Sequence, residues 1–182
     1  MHEILMRDGR VVTIRKLARG DEEALRRFND NLSERSRYDF MPHPYDDGTL
    51  KKVISRNERG EDISLVAQYG DEIVGYFFLW YARQPVVLLG ICIAEDFQGA
   101  RLGRKAMEML IGICNDKGYE GIELSTAVDN HRAYALYEKV GFTFIKEVET
   151  HLGDGSVRIE RCMFLPLKEG ALPLSEPHRP PV

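Results

Sequence analysis

Ile91-Cys92-Ile93-Ala94-Glu95-Asp96-Phe97-Gln98-Gly99-Ala100-Arg101-Leu102-Gly103-Arg104-Lys105 is the stretch that decides the fold. An apolar strand runs through a short glycine-containing turn into a segment of helical period. Val86 to Ile93 is apolar on both faces, which places it at the centre of a sheet. Gly90 inside it implies a bulge, or the close approach of a ligand to the backbone. From Leu102 onward, Leu102, Ala106, Met109, Leu110 and Ile113 share one helical face, and Lys117-Gly118 supplies a cationic last turn and a glycine stop. The amides left unpaired at such a helix start, with about half a positive charge from the helix dipole, suit a pyrophosphate. Gly99, Ala100 and Gly103 would let that guest approach closely. The plainer alternative is a solvated turn with basic side chains on an exposed helix face. Two phosphate-binding loops are excluded: the glycines do not form G-x-G-x-x-G, and no Gly-Lys-Ser/Thr follows.

Outward from this unit the chain alternates strand and helix patterns. Val11 to Lys16 predicts a first strand, and Asp21 to Leu32 a helix with an acidic start. Ser33 to Gly48 is a polar and aromatic connector carrying Tyr38, Phe40, His43 and Tyr45, and Thr49 to Arg59 predicts a second helix. Ile63 to Tyr69 and Ile73 to Tyr81 flank Gly70-Asp71 as a hairpin. Gly121 to Val128 predicts a strand, Asn130 to Lys139 a helix, and Phe142 to Leu152 with Val157 to Leu167 a last hairpin. The fold class is therefore α/β, with a central mixed sheet flanked by helices. Residues 1–167 form one domain, and the proline-rich tail 168–182 is expected to be disordered.

The chain has 182 residues and a formal net charge of −4, which gives no basic excess for nucleic acid or an anionic membrane surface. Met1 to Arg10 lacks the apolar core of a signal peptide, and no apolar run is long enough to cross a bilayer. Cys92, Cys114 and Cys162 are scattered and odd in number, without metal-ligand spacing to a histidine. They read as reduced thiols of a cytoplasmic protein with no metal site.

Two segments carry a resemblance to a known family. Gln98 to Gly103 resembles the acyl-CoA signature Gln/Arg-x-x-Gly-x-Gly/Ala of the GNAT N-acetyltransferase superfamily. Asn130-His131-Arg132-Ala133-Tyr134-Ala135-Leu136-Tyr137-Glu138-Lys139-Val140-Gly141-Phe142 resembles its second segment, Asn-x-x-Ala-x-x-Leu-Tyr-x-x-x-Gly-Phe. The two stand one helix and one strand apart, in the family's order, and the likeness covers Val11 to Leu167. It implies acetyl-CoA as acyl donor and a primary amine of a small molecule or protein as acceptor. By the same likeness the backbone of Ile91, Cys92 and Ile93 would hold the pantetheine arm. The amides of Gln98, Gly99, Ala100, Arg101, Leu102, Gly103 and Arg104 would hold the pyrophosphate, and Asn130 would bind the arm. Arg104, Lys105 and Arg132 are placed to meet phosphates or to stay solvated. Arg101 stands where the signature has its first glycine, a departure that costs about 1–2 kcal/mol if the position is left-handed.

Tyr137 is implied as general acid for the departing thiolate. Tyrosine titrates near 10 and a thiol near 8.5, so full transfer is uphill by roughly 2 kcal/mol, and hydrogen bonding to the developing thiolate is the more economical role. The base is unassigned. Ser125 replaces the glutamate that some family members carry, Glu123 is the nearest carboxylate or else a charge facing water, and His43 and Asp129 are further candidates. The connector sits where the family places its acceptor-binding element. Ser33 to Tyr38 is a short match to protein-lysine acetyltransferases of the superfamily. A homodimer follows from family habit alone. A non-catalytic acyl-CoA-binding module is the alternative to an enzyme.

Overall fold

The structure, a computed structural model, describes residues 2–99, 101–174 and 178–182. Its elements, in chain order, begin with β1 (His2–Leu5), β2 (Val11–Lys16), α1 (Glu22–Asn31), α2 (Glu34–Asp39), α3 (Asp47–Glu58), β3 (Ile63–Tyr69) and β4 (Glu72–Trp80). They continue with β5 (Val86–Ile93), α4 (Leu102–Asp116), β6 (Gly121–Ala127), α5 (His131–Lys139), β7 (Thr143–His151) and β8 (Val157–Pro166), and a 3₁₀ turn, Glu95–Phe97, links β5 to α4. All eight strands form one sheet in the order β1-β2-β3-β4-β5-β6-β8-β7. Among the described residues β5 and β6 are the parallel pair, joined by the α4 crossover, and the other neighbours are antiparallel.

Each face of the sheet has its own core. On one face Leu102, Ala106, Met107, Leu110 and Cys114 of α4 meet Val87, Leu89, Ile122 and Leu124. Met107 and Cys114 are buried where Met109 and Ile113 were expected to be, and the latter two are half-buried at the flank. The buried stripe steps by four residues, from 102 to 106, 110 and 114, and this brings Cys114 rather than Ile113 beneath the helix. On the other face Leu25 and Phe28 of α1 and Leu50, Val53 and Ile54 of α3 cover Val66, Tyr76, Phe78, Trp80 and Leu88.

Three expectations need correction. The connector from Ser33 contains α2, whose start Ser33 caps by accepting from the Ser36 amide. Gly90 is not a bulge: β4 and β5 stay in register there, and the close neighbour is the Phe78 ring. A Cβ on Gly90 would lie 2.0 Å from a carbon of that ring, which itself stacks on Trp80 at 4.0 Å between centroids. Finally, the described part of the tail lies on the sheet. The Leu174 amide donates to Glu123, the His151 amide donates to the carbonyl of His178 at 2.9 Å, and Leu174 and Val182 pack on the α1/α3 core. Composition favours disorder here, but a buried carboxylate and the open backbone of β7 offer the tail partners that composition does not record.

Gly90→Ala is expected to lower unfolding free energy by about 1–3 kcal/mol in urea melts, because the added methyl meets a Phe78 ring already packed on Trp80 and Phe40.

Candidate active site

Pairing between β5 and β6 runs only from Val86↔Gly121 to Leu88↔Glu123. Beyond that rung β5 continues along β4 to Ile93, and β6 follows β8 to Ala127, so the sheet opens between them. The backbone of Leu89 to Ile93 thus presents a strand edge to the gap, Ile91, Cys92 and Ile93 among it. Such an edge can take an extended guest as if it were another strand. Burial pushes the Cys92 thiol up to about 12, so it stays a neutral wall of this gap rather than a nucleophile.

At the end of the edge the chain turns sharply. Gly99 has φ 79° and Arg101 φ 69°, so the position where the signature carries glycine is left-handed and Arg101 bears the strain. Ala100 lies outside the described residues. Leu102 is fully buried and pins the helix start, and Gly103 lies against Ile93 and Leu136. The first turn of α4 has no side-chain cap and no acidic residue. Helices α2, α3 and α5 are by contrast capped by Ser33, Asp46 and Asn130. Helix α1 also lacks a side-chain cap, but its first turn carries Glu22 and Glu23, so the amides at the start of α4 are the uncapped ones without a nearby carboxylate, and they fit an anionic group.

The side chains around the turn hold the protein together. Gln98 donates to the Ile93 carbonyl at 2.7 Å and accepts from Arg132 at 2.6 Å, clamping the turn to the end of β5 and to α5. Arg104 pairs with Glu108 one helical turn on, and Lys105 donates to the Leu5 carbonyl. All three cations thus have internal partners, and the backbone amides of the turn stand beside them as donors an anion could use.

Across the gap, Asn130 accepts from the Ala133 amide and so starts α5, which places Tyr137 two turns later. Tyr137 is buried among the core residues. Burial, followed by the nearby Cys92, Glu160 and Asp39, raises its phenol well above the usual tyrosine range. It is a protonated donor at neutral pH.

On the α1/α2 side of the gap lies a small cleft open to solvent. Asp39 and Phe40 come from α2 and its end, Phe78 and Trp80 from β4, Gly90 from β5, and Ser125 from β6. Glu160 and Arg158 line it from β8 and His178 from the tail. Of the three connector aromatics singled out in the sequence, Phe40 lines the cleft, Tyr38 lies under Arg158 at the surface, and Tyr45 is packed against His43. Asp39, Glu160 and His178 escaped the sequence reading, since no motif marks them and three separate elements bring them together.

The candidate bases separate clearly. Glu123, expected at a solvated strand start, is 0% exposed. Its burial opposes the charge, but hydrogen bonds from His178, Cys162 and the Leu174 amide outweigh this and hold its carboxyl below the usual range. Asp129 is at the surface, paired with Arg35. His43 is buried between the Pro44 carbonyl and the Tyr76 hydroxyl, and burial lowers it to about 4. Ser125 meets the Thr150 hydroxyl at 3.3 Å.

Comparison with known proteins agrees with this geometry. Residues 25–142 match the Acetyltransferase (GNAT) family, and the chain belongs to it. It is 26% identical over 136 residues to the L-amino acid N-acetyltransferase AaaT of Escherichia coli, covering 72% of this chain and 82% of that protein. It is 27% identical over 92 residues to the [ribosomal protein bS18]-alanine N-acetyltransferase of Salmonella typhimurium, covering 50% of this chain and 62% of that protein. The chain spans about half the length, or less, of two further curated relatives that it matches, from Bacillus subtilis. Among solved structures, spermidine N-acetyltransferase from Vibrio cholerae in complex with CoA and spermine superposes with a TM-score of 0.69 at 20% identity, covering 85% of this chain and 95% of that one. No helix among the described residues is long and apolar enough to cross a membrane.

Two measurements test the site's construction. Arg101→Gly removes the left-handed side chain and is expected to raise stability by about 1 kcal/mol in urea melts. His43 is held neutral in the fold, so between pH 6.5 and 4 the unfolded chain gains a proton that the folded one refuses, and stability falls as pH drops through that window. His43→Gln should lose about 2–3 kcal/mol less than the parent chain between pH 7 and 4.5.

Proposed function

We propose that this GNAT-family chain transfers the acetyl group of acetyl-CoA to a primary amine, on a small molecule or a protein. The observation that carries the reading is the opened sheet, with a free strand edge and an uncapped helix start on one side and a protonated Tyr137 on the other. The pantetheine arm lies along the edge of Ile91, Cys92 and Ile93, with the Asn130 side-chain amide as a further partner. The diphosphate sits on the amides between Gln98 and Arg104. A backbone amide at Ile93 polarises the thioester carbonyl. The amine nitrogen attacks the carbonyl carbon, the C–S bond breaks, and Tyr137 hydrogen-bonds the departing sulfur as it gains its proton.

The acceptor lies in the cleft beneath α2. Its chemistry suits an amine: Asp39 Oδ1 is buried with no hydrogen-bond partner among the described residues, and Glu160 is close by. Phe40, Phe78 and Trp80 offer aromatic faces to a cation or to its apolar body. The relatives named above are an L-amino acid and a ribosomal protein bS18-alanine N-acetyltransferase, and the solved one carries spermine, so amines are the shared class. We assign the GNAT domain to residues 1–167, against which the described part of the tail packs, and place the protein in the cytoplasm, consistent with its three unpaired, buried cysteines.

The test is thiol release from acetyl-CoA with a panel of L-amino acids, spermidine, spermine and alanine-terminated peptides. At least one should turn over. With that amine, Tyr137→Phe should lower kcat by about 10²-fold while the calorimetric Kd for CoA stays within about threefold. Absence of CoA binding by the folded chain would remove the reading altogether. CoA binding without turnover across the panel would favour an acyl-CoA-binding module instead.

A further inference from the structure

The tail returns to the sheet at the point where β5 and β6 part, and it brings a histidine with it. His178 is 3% exposed, its Nε2 lies 2.5 Å from Glu123 Oε1, and its ring lines the cleft. We propose that His178 is the general base that takes the proton of the attacking amine, and that Glu123 is the residue that positions it. This inference rests on the acetyl-transfer reading above.

The hydrogen bonds fix which ring nitrogen is free. Glu123 is wholly buried and its two oxygens accept from three donors: the His178 ring and the Cys162 thiol on Oε1, and the Leu174 amide at 2.7 Å on Oε2. A carboxylate so surrounded is an acceptor only, so Nε2 carries the hydrogen and the lone pair is on Nδ1. Nδ1 is buried and has no hydrogen-bond partner among the described residues. An unpartnered buried acceptor is destabilising, and a substrate N–H in the cleft would satisfy it. A carboxylate that holds a histidine by one nitrogen and leaves the other to accept a proton is the arrangement of a positioned base.

The surrounding charges are compatible with that task. Glu123 and Cys162 meet the ring from β6 and β8, and Glu160 and Arg158 line the cleft from β8, paired with each other. Asp39 comes from α2, His151 from β7 and Arg179 from the tail itself. Glu123, Cys162 and His178 bring their polar atoms within 4.8 Å of one another, a spacing a metal could also use. Burial and the adjacent carboxylate hold the Cys162 thiol protonated, however, and it donates to Glu123.

The protons balance. An ammonium acceptor gives one proton to Nδ1, which passes it to solvent, and the freed amine attacks. The C–N bond forms and the C–S bond breaks. The nitrogen's second proton returns to Nδ1, while the sulfur takes one from Tyr137. His178 then restores Tyr137 through solvent, so that one proton ends on the CoA thiol and one in bulk water.

The experiment uses the full chain, acetyl-CoA and an amine that the parent protein acetylates in the panel. His178→Gln keeps a donor for Glu123 but removes the basic nitrogen. It is expected to lower kcat/KM by about 10²–10³-fold at pH 7, with a smaller deficit at alkaline pH as free amine accumulates, and with CoA affinity unchanged. Glu123→Gln should displace the pH profile of kcat/KM along the pH axis, a change that a purely structural role would not produce. Activity of His178→Gln within about threefold of the parent, with the same pH profile, overturns the proposal and leaves acetyl transfer standing. If His178→Gln does not fold, or no amine turns over, imidazole ¹⁵N NMR of the parent chain decides. A hydrogen on Nε2 and a bare Nδ1 support the assignment, and the opposite tautomer, or stoichiometric zinc in the purified protein, overturns it.

Discussion

The separation of β5 from β6 after a short parallel ladder is the constraint on which the rest depends. A sheet ordinarily pairs every interior strand on both sides, because an unpaired buried backbone group is costly. Here pairing ends at Leu88↔Glu123, and the strands diverge with their core faces still covered by α4 on one side and α1 and α3 on the other. The open edge of β5 is thereby held rigid by β4 behind it. A guest that brings its own amides, as a pantetheine arm does, completes the sheet instead of disturbing it.

Several details follow from keeping that gap open at one end and dry at the other. Gly90 admits the Phe78 ring against the backbone of β5, so the floor of the cleft is a stacked aromatic pair and not a polar surface. Gln98 fastens the turn to both Ile93 and Arg132, which fixes the start of α4 relative to the strand that feeds it. Arg101 accepts left-handed strain at that start, and the helix remains uncapped. Strain and missing caps of this kind are tolerated where a ligand supplies the compensating contacts.

Electrostatically the gap is built largely from groups kept neutral by burial. Cys92 and Tyr137 are pushed up, His43 is pushed down, and Glu123 alone is held as a wholly buried anion by three donors. A neutral phenol on one side of the opening and a carboxylate-bound imidazole on the other are the acid and base of the proposed reaction. Truncating Glu123 would leave His178 without its anchor and the tail without one of its attachments to the sheet.

The strand, turn and helix from Val86 to Asp116, the hairpins, and the family segments at Gln98 to Gly103 and Asn130 to Phe142 were legible in the sequence, because local period, turn residues and short motifs encode them. The left-handed turn was anticipated from the place of Arg101 alone. The acceptor side was not legible. That β8 inserts between β6 and β7, that Glu123 is buried, and that a proline-rich tail returns to close the cleft are consequences of long-range pairing. His178 and Glu123 are 55 residues apart and meet at 2.5 Å. Nothing within a local window can register such a contact, since the free energy that holds it comes from burying both groups together, and only the folded chain does that.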